Sequence, residues 1–176
     1  MPPHCDTMDG PVVQAAKRAL ETGNVNLALP WIKKESETEL ESAFQKTLQI
    51  RKLGNGSAEF ADHWFYETAV RLHREGEGAA YTGLKPAGLD TGPVIPIAEK
   101  AIETGDAKEV TDFLSNLVVE EVQKRFSNAM SKKNYDINNV EAAREYVQGM
   151  LGFLLFSHHL YKYIKTSGEG KKIRMT

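Results

Sequence analysis

The chain has 176 residues, of which 41% are apolar and 26% charged, as is ordinary for a soluble globular protein. This length predicts a single domain, residues 1–176, that is large enough to bury a core. The formal net charge is −2 at pH 7. Nucleic-acid-binding domains usually carry a basic face or a basic excess, so we expect no nucleic-acid partner.

The cysteine content and the apolar runs suggest a compartment. The one cysteine, Cys5, allows no internal disulfide, which fits a reducing environment. The residues after Met1 do not have the pattern of a signal peptide, which is a basic segment followed by an apolar one. The longest apolar run, MLGFLLF at 150–156, is far shorter than the roughly 20 residues of a membrane-spanning helix. We therefore expect a cytoplasmic protein with no membrane partner.

Two stretches of the chain, 82 residues apart, have nearly the same sequence. GPVVQAAKRALETGN begins at Gly10, and GPVIPIAEKAIETGD begins at Gly92. We interpret the similarity as the duplication of a unit of about 80 residues. Asp9 and Thr91 are predicted to cap the first helix of each unit, with a proline in the first turn. Each helix is then expected to end at a glycine, Gly23 or Gly105.

The rest of each unit has helical periodicity, with no sustained alternation of period two. The predicted pieces are a short helix, a long amphipathic helix (begun in unit one by a capping box of Ser36 and Glu39) and a longer last helix. Their ranges are about 24–33, 40–53 and 57–75 in unit one and about 106–115, 117–130 and 139–166 in unit two.

The predicted fold is all-α. Four long helices from two duplicated units would form a bundle with pseudo-twofold symmetry, and the short helices would flank it. The bounds are about 9–75 for unit one, 76–91 for the loop between the units, 92–166 for unit two and 167–176 for a basic flexible tail. The last helix is apolar nearly all round from Met150 to Phe156, which predicts burial by the chain itself or in a homodimer.

The loop between the units is rich in glycine and holds the aromatic Tyr81 and the cation Lys85. Five glycines and a proline exclude a helix there. Two interpretations stay open. The segment is a plain linker, or it is an ordered loop that presents backbone N–H groups and these two side chains to a ligand.

The segment HCDTMD places three metal-ligand types together, in His4, Cys5 and Asp6. Imidazole, thiolate and carboxylate groups suit zinc, nickel or copper, although further ligands must come from elsewhere in the fold. The alternative is an ordinary ordered N-terminus that leads into the Asp9 cap. Cys5 as a nucleophile would need an activating partner that sequence cannot place.

The helix DHWFYETAVRLHRE offers a second set of candidate ligands. His63 and Glu67 share a face with Arg71, and could hold a metal or form an ion-pair ladder from Glu67 to Arg71. His73, near the apolar edge, is the best candidate for a ligand that points inward, with a core-edge histidine as the alternative. The adjacent His158 and His159 point about 100° apart on a helix, so they cannot hold one metal together.

The sequence has no phosphate-binding fingerprint, HExxH, CxxC or serine elbow, so it leaves open whether the protein is an enzyme. Two hypotheses follow. In the first, the N-terminal His-Cys-Asp segment folds back onto the 63–85 block and binds zinc, nickel, copper or iron. In the second, the protein is a non-enzymatic interaction or small-ligand-binding module that dimerises through its last helix.

The motifs HCDTMDGPVV and HREGEGAAYTGLKPAG resemble those of a prokaryotic family of unknown function, over nearly the whole chain. In that family a Glu and a His are expected in the stretch equivalent to 152–158, where this chain has Gly152 and Leu155. HCDxxDG also resembles the N-terminal hook of nickel superoxide dismutase, which implies nickel ligation by His4 and Cys5. Here Asp9 replaces the second cysteine of that hook, and three residues precede His4.

Overall fold

The computed structural model describes residues 3–54 and 56–166, and over these ranges the fold is all-α, as predicted. Within them the only extended pairing is an isolated bridge between Thr7 and Lys85. The chain divides into two compact units, one that runs to Thr91 and one that begins at Gly92. The α-helices are α1 (Pro11–Thr22), α2 (Glu37–Arg51) and α3 (Ser57–Glu77) in unit 1, and α4 (Val94–Thr104), α5 (Lys108–Ser131) and α6 (Val140–Thr166) in unit 2.

Unit 1 encloses an apolar core between α1, α2 and α3. On each helix the apolar residues recur every three or four positions, so each helix presents one apolar stripe to the others. The Phe44 and Phe65 rings meet in the middle with centroids 5.6 Å apart. The largest fully buried side chains in the described part of the chain all belong to this core: Phe44, Phe65, Leu40, Leu72, Val12, Val13, Val70 and Thr47.

The start of α1 differs from the prediction. Gly10 occupies the capping position and no side chain caps the helix. Asp9 instead accepts a 2.8 Å hydrogen bond from the backbone N–H of Gly88. The helix ends at Gly23, as predicted, with φ +68°.

Before α2, four short 3₁₀ segments cover Pro3–Asp6, Val25–Leu27, Leu29–Trp31 and Lys34–Ser36.

Two further capping predictions are wrong. Ser36 precedes α2, but its backbone is in the αR region rather than the extended conformation of a capping residue, and its side chain makes no capping bond. The side chain of Glu39, its expected partner, pairs with Arg71. In unit 2, α4 begins at Val94 after Pro93, which leaves Thr91 too far upstream to cap it.

The predicted short and long helices of unit 2 form one continuous helix, α5. In unit 1 the corresponding stretch contains Pro30, and the chain there forms short 3₁₀ segments. Asp112 stands at the equivalent place in unit 2, so nothing interrupts the backbone hydrogen bonds. Unit 2 is thus built from α4 and a long hairpin of α5 and α6, in which the rings of Phe126 and Phe153 pack at 5.6 Å.

The last helix is less buried than expected. Among the described residues of unit 2 only Ala129 and Gly149 are buried, and Leu151, Leu154 and Leu155 are half-exposed. No described helix combines the length and the apolar character that crossing a membrane requires. The duplication, the four-helix bundle and its pseudo-twofold remain interpretations of the sequence, and the tail 167–176 lies outside the described residues.

Candidate functional site

The N-terminal segment is held against the loop that follows α3. The Lys85 N–H donates to the Asp6 carbonyl (2.8 Å), and the Met8 N–H donates to the Lys85 carbonyl (3.0 Å). The Lys85 ammonium turns back to the Thr82 carbonyl at 3.0 Å. With the Asp9–Gly88 bond, these contacts join HCDTMD to the glycine-rich loop, which is therefore an ordered part of unit 1.

Asp6 is part of a buried ionic network rather than an open ligand. Its Oδ1 lies 2.6 Å from Nε of Arg74, and both side chains are 7% exposed. Arg74 also reaches Oε2 of Glu77 at 3.1 Å. The hydrogen bond to Asp6 raises the pKa of Arg74 above its usual range, so the guanidinium stays charged despite its burial. This network fixes the N-terminal segment to the end of α3.

His73 is 3% exposed and lies beside the network. Its Nδ1 is 2.7 Å from the Trp31 carbonyl oxygen. A carbonyl only accepts, so Nδ1 carries the proton and donates it. Nε2 lies 3.2 Å from Oε1 of Glu77, without the alignment of a hydrogen bond. His73 therefore joins α3 to the 3₁₀ segment Leu29–Trp31.

The remaining predicted ligands are dispersed. Cys5 is buried, with Sγ 3.9 Å from Nε2 of His4, whereas His63 lies exposed on α3. Residues 3–54 and 56–166 hold no group of three or more His, Cys, Asp or Glu side chains that could bind a metal ion. A metal site with three or more ligands from these residues is accordingly not supported. His158 and His159 are both exposed on α6.

A groove of about 640 Å³ runs between α2 and α3, and Tyr81 is one of the residues that line it. It brings together one face from each helix, because the lining positions on each helix recur every three or four residues. The groove is lined by Glu35, Thr38, Glu39, Ser42, Ala43, Lys46, Trp64, Glu67, Thr68, Arg71 and Tyr81.

The charges in this groove are paired differently from the predicted ladder. Arg71 forms ion pairs with Glu39 of α2 and with Glu75 of α3, the latter at 2.9 Å. Both pairs draw the guanidinium away from Glu67. Within the described ranges, Glu67 has no ion-pair or hydrogen-bond partner. The expected Glu67–Arg71 pair is therefore wrong, and an uncompensated carboxylate lines the groove.

Two aromatic side chains accompany Glu67. Trp64 lies one turn earlier on the same face of α3 and is 38% exposed. Tyr81 lines the same groove as Glu67, and burial first and the negative charge of Glu67 second raise the pKa of Tyr81. Sequence reasoning identified Glu67 and Tyr81 but missed Trp64, Glu39 and Lys46. The helical spacing of these residues shows which of them share a face of α2 or of α3, but it does not show that the two faces meet in a groove.

The chain matches the model of a family of unknown function, DUF6448, over residues 9–156. The match covers most of the chain, so the protein belongs to this family, in agreement with the resemblance of its motifs. No curated protein and no solved structure matches it.

Proposed function

We propose that unit 1 of this DUF6448 member binds a small organic cation in the α2–α3 groove, with the ammonium group beside Glu67. One observation carries the proposal: the Glu67 carboxylate lines a groove and has no partner in the described chain, although Arg71 stands one turn away. A carboxylate beside aromatic rings attracts an ammonium group both through charge and through cation–π contact.

The other lining groups support a ligand of this kind. A volume of about 640 Å³ suits a small molecule. Lys46 lines the groove, and neither a hydrogen bond nor an ion pair engages it in the described part of the chain. A ligand with a carboxylate at its other end would therefore match both charges. Ser42 and Thr38 offer hydroxyl groups for the polar part of such a molecule.

Calorimetric titration of the full chain tests the proposal with three probes: choline (a cation), glycine betaine (a zwitterion) and phosphate (an anion). We expect heat from choline or betaine and none from phosphate. Glu67→Gln keeps the shape of the side chain and removes its charge, and it should weaken binding at least tenfold. The matched control is Glu59→Gln, an exposed carboxylate of α3 outside the groove, which should leave affinity unchanged.

Tryptophan fluorescence gives an independent measurement. The chain has two tryptophans, Trp31 and Trp64, and only Trp64 lines the groove. We expect the ligand to change the emission of the wild type but not of Trp64→Phe. Binding that is indifferent to Glu67→Gln, or binding of phosphate alone, would refute the proposal.

Transition-metal binding remains a second candidate on one observation. Cys5 Sγ and His4 Nε2 are 3.9 Å apart, and a tetrahedral zinc ion shared by a thiolate and an imidazole would hold these atoms about 3.6 Å apart. Asp6 is committed to Arg74, so further ligands would be water or side chains that move. Element analysis after separate supply of zinc, nickel, copper and iron tests this candidate. Loss of metal in Cys5→Ser but not in Glu67→Gln would place the metal apart from the groove.

A further inference from the structure

A small polar pocket of about 280 Å³ lies between α5 and α6 in unit 2. Each helix presents one face to it, because the lining positions recur at helical spacing. The pocket is lined by Arg125, Asn128, Lys132, Gln148, Gly149, Gly152 and Phe153. The lining therefore combines two cations and two side-chain amides with no carboxylate.

The Arg125 guanidinium is positioned without a hydrogen bond. Its Cζ lies 4.3 Å from the ring centroid of Phe156, which is a cation–π contact. Nη2 lies 3.3 Å from Oε2 of Glu121, one turn earlier on α5, without the alignment of a hydrogen bond. Nε is buried and has no partner in the described ranges. A guanidinium offers five N–H donors in a planar fork, so Arg125 is held in place with its donors unsatisfied.

The other three polar side chains of the pocket are equally unengaged. The Lys132 ammonium lies 3.8 Å from Oε2 of Glu145, which is too long for a hydrogen bond. Glu145 is 66% exposed, so water weakens this pair. Within residues 3–54 and 56–166, the side-chain amides of Asn128 and Gln148 make no hydrogen bond. Four side chains with N–H donors and no acceptor in the described chain therefore line one pocket.

Two glycines of α6 give the pocket its shape. A Cβ on Gly149 would lie 3.3 Å from Cα of Ala129 and 3.4 Å from Nδ2 of Asn128, so this glycine permits the close approach of α5. A Cβ on Gly152 would meet no atom within 4 Å. Glycine inside a helix is less favourable than alanine, and packing within the described chain requires no glycine at position 152. The missing side chain leaves room for a bound group.

We infer that this pocket binds the carboxylate of a small organic acid. The planar fork of Arg125 matches the two oxygens of a carboxylate, and ammonium and amide donors stabilise the same charge. One negative charge suits the pocket better than two, because a glutamate already accompanies each of its cations. Phe153 provides an apolar wall for a short carbon chain. This site belongs to unit 2 and does not rest on the cation groove of unit 1.

NMR titration of the full chain with acetate tests the inference, with acetamide as the neutral counterpart of the same shape. We expect acetate to shift the backbone amide signals of Gly149 and Gly152 and the side-chain amide signals of Asn128 and Gln148, and the shifts should saturate. Acetamide, and sodium chloride at the same ionic strength, should leave these signals in place. Shifts from chloride equal to those from acetate would overturn the inference, as would larger shifts from phosphate than from acetate.

Substitution of the two cations tests their roles in the site. Arg125→Lys keeps the charge and removes the fork, and it should raise the dissociation constant for acetate about tenfold, as the loss of a charge-assisted hydrogen bond does. Lys132→Gln should also weaken binding. The matched control is Lys133→Gln, which removes an exposed charge beside the pocket and should leave the dissociation constant unchanged. Equal weakening by the two lysine substitutions would contradict a specific site.

Gly152→Leu separates loss of the site from loss of folding. Leucine is a good helix former, and its Cβ has room in the chain, so helicity measured by circular dichroism should be kept or increased. The new side chain would fill the pocket and abolish the acetate shifts at Gly149, Asn128 and Gln148. Acetate shifts that persist in this variant, with helicity unchanged, would overturn the inference.

Discussion

The Asp6 carboxylate accepts a 2.6 Å hydrogen bond from Nε of Arg74, 68 residues further along the chain, and both side chains are almost fully buried. This one contact joins the two most distinctive motifs of the sequence. Asp6 belongs to HCDTMD, and Arg74 belongs to HREGEG. Their pairing fixes the start of the chain to the end of α3, and Tyr81, in the loop that follows α3, lines the proposed ligand groove.

Removal of Arg74 should destabilise unit 1 strongly. Arg74→Met leaves Asp6 and Glu77 buried without a compensating charge, and breaking a buried pair in this way costs about 3–5 kcal/mol. Urea unfolding of the variant and the wild type measures the difference. Arg18→Met, on the exposed side of α1, is the control and should change stability by less than about 0.5 kcal/mol. A loss below 1 kcal/mol for Arg74→Met would mean that the network does not hold the segment.

His73 should act as a structural donor rather than as a metal ligand. His73→Phe keeps an aromatic ring beside Trp31, whose ring is 6.2 Å away, but it leaves the Trp31 carbonyl without its donor. An unsatisfied buried acceptor costs about 1–3 kcal/mol, which thermal or urea unfolding can detect. His63→Phe, on the exposed face of the same helix, should have little effect. Equal stability losses in the two variants would contradict this role.

The sequence predicted the helical class and most helix ends because these depend on local features. Periodicity located α3 and α6, and Gly23 and Gly105 ended their helices as expected. The predicted caps did not form, and two of the expected groups have tertiary partners instead: Asp9 accepts from Gly88, and Glu39 pairs with Arg71. A capping pattern cannot reveal a tertiary competitor.

The candidate site shows the same division between local and long-range information. The chemical types at Asp6, Glu67 and His73 were recognisable, but their roles depend on which groups lie opposite them. Arg74 neutralises Asp6, and Trp31 engages His73. Of these three residues only Glu67 has no hydrogen-bond or ion-pair partner within the described ranges, because Glu39 and Glu75 occupy Arg71. Those partners are set by the packing of α2 on α3, which no motif encodes.

The turn between the N-terminal segment and α1 should tolerate no side chain at Gly10. A Cβ there would lie 1.9 Å from the His4 carbonyl oxygen, and this backbone atom cannot move without displacing the segment. Gly10→Ala should therefore cost about 1–3 kcal/mol and expose Cys5, the only cysteine, which is 4% exposed in the native fold. The rate of reaction with a thiol reagent under native conditions measures that exposure directly.

Gly76→Ala is the matched control for Gly10→Ala. The nearest atoms to its new Cβ would belong to the flexible side chain of Lys33, with Cγ at 3.2 Å, and this side chain can move aside. We expect Cys5 to react as slowly in this variant as in the wild type. If Cys5 is equally protected in Gly10→Ala, the segment is held by contacts other than the tight turn.

Alkaline pH should weaken unit 1 through Tyr81. Burial first, and the Glu67 charge second, raise the pKa of Tyr81 above its ordinary value of 10.0. Above pH 10 the unfolded state therefore loses this proton before the folded state does. The contribution of Tyr81 is constant below pH 10, and the free energy of unfolding falls as pH rises towards the folded pKa. Tyr66, whose pKa is raised by burial, adds a decline of the same sign.

Urea unfolding at a series of pH values from 8 upwards, with Tyr81→Phe and Tyr66→Phe, separates the two contributions. Each single variant should lose stability less steeply than the wild type above about pH 10, and the double variant should be the least steep. Glu67→Gln should lower the pKa of Tyr81, as followed by tyrosinate absorbance, because one of the charges that disfavour ionisation is gone. A Tyr81 titration that Glu67→Gln does not move would show that the carboxylate lies away from the ring, and it would weaken the case for a cation site between them.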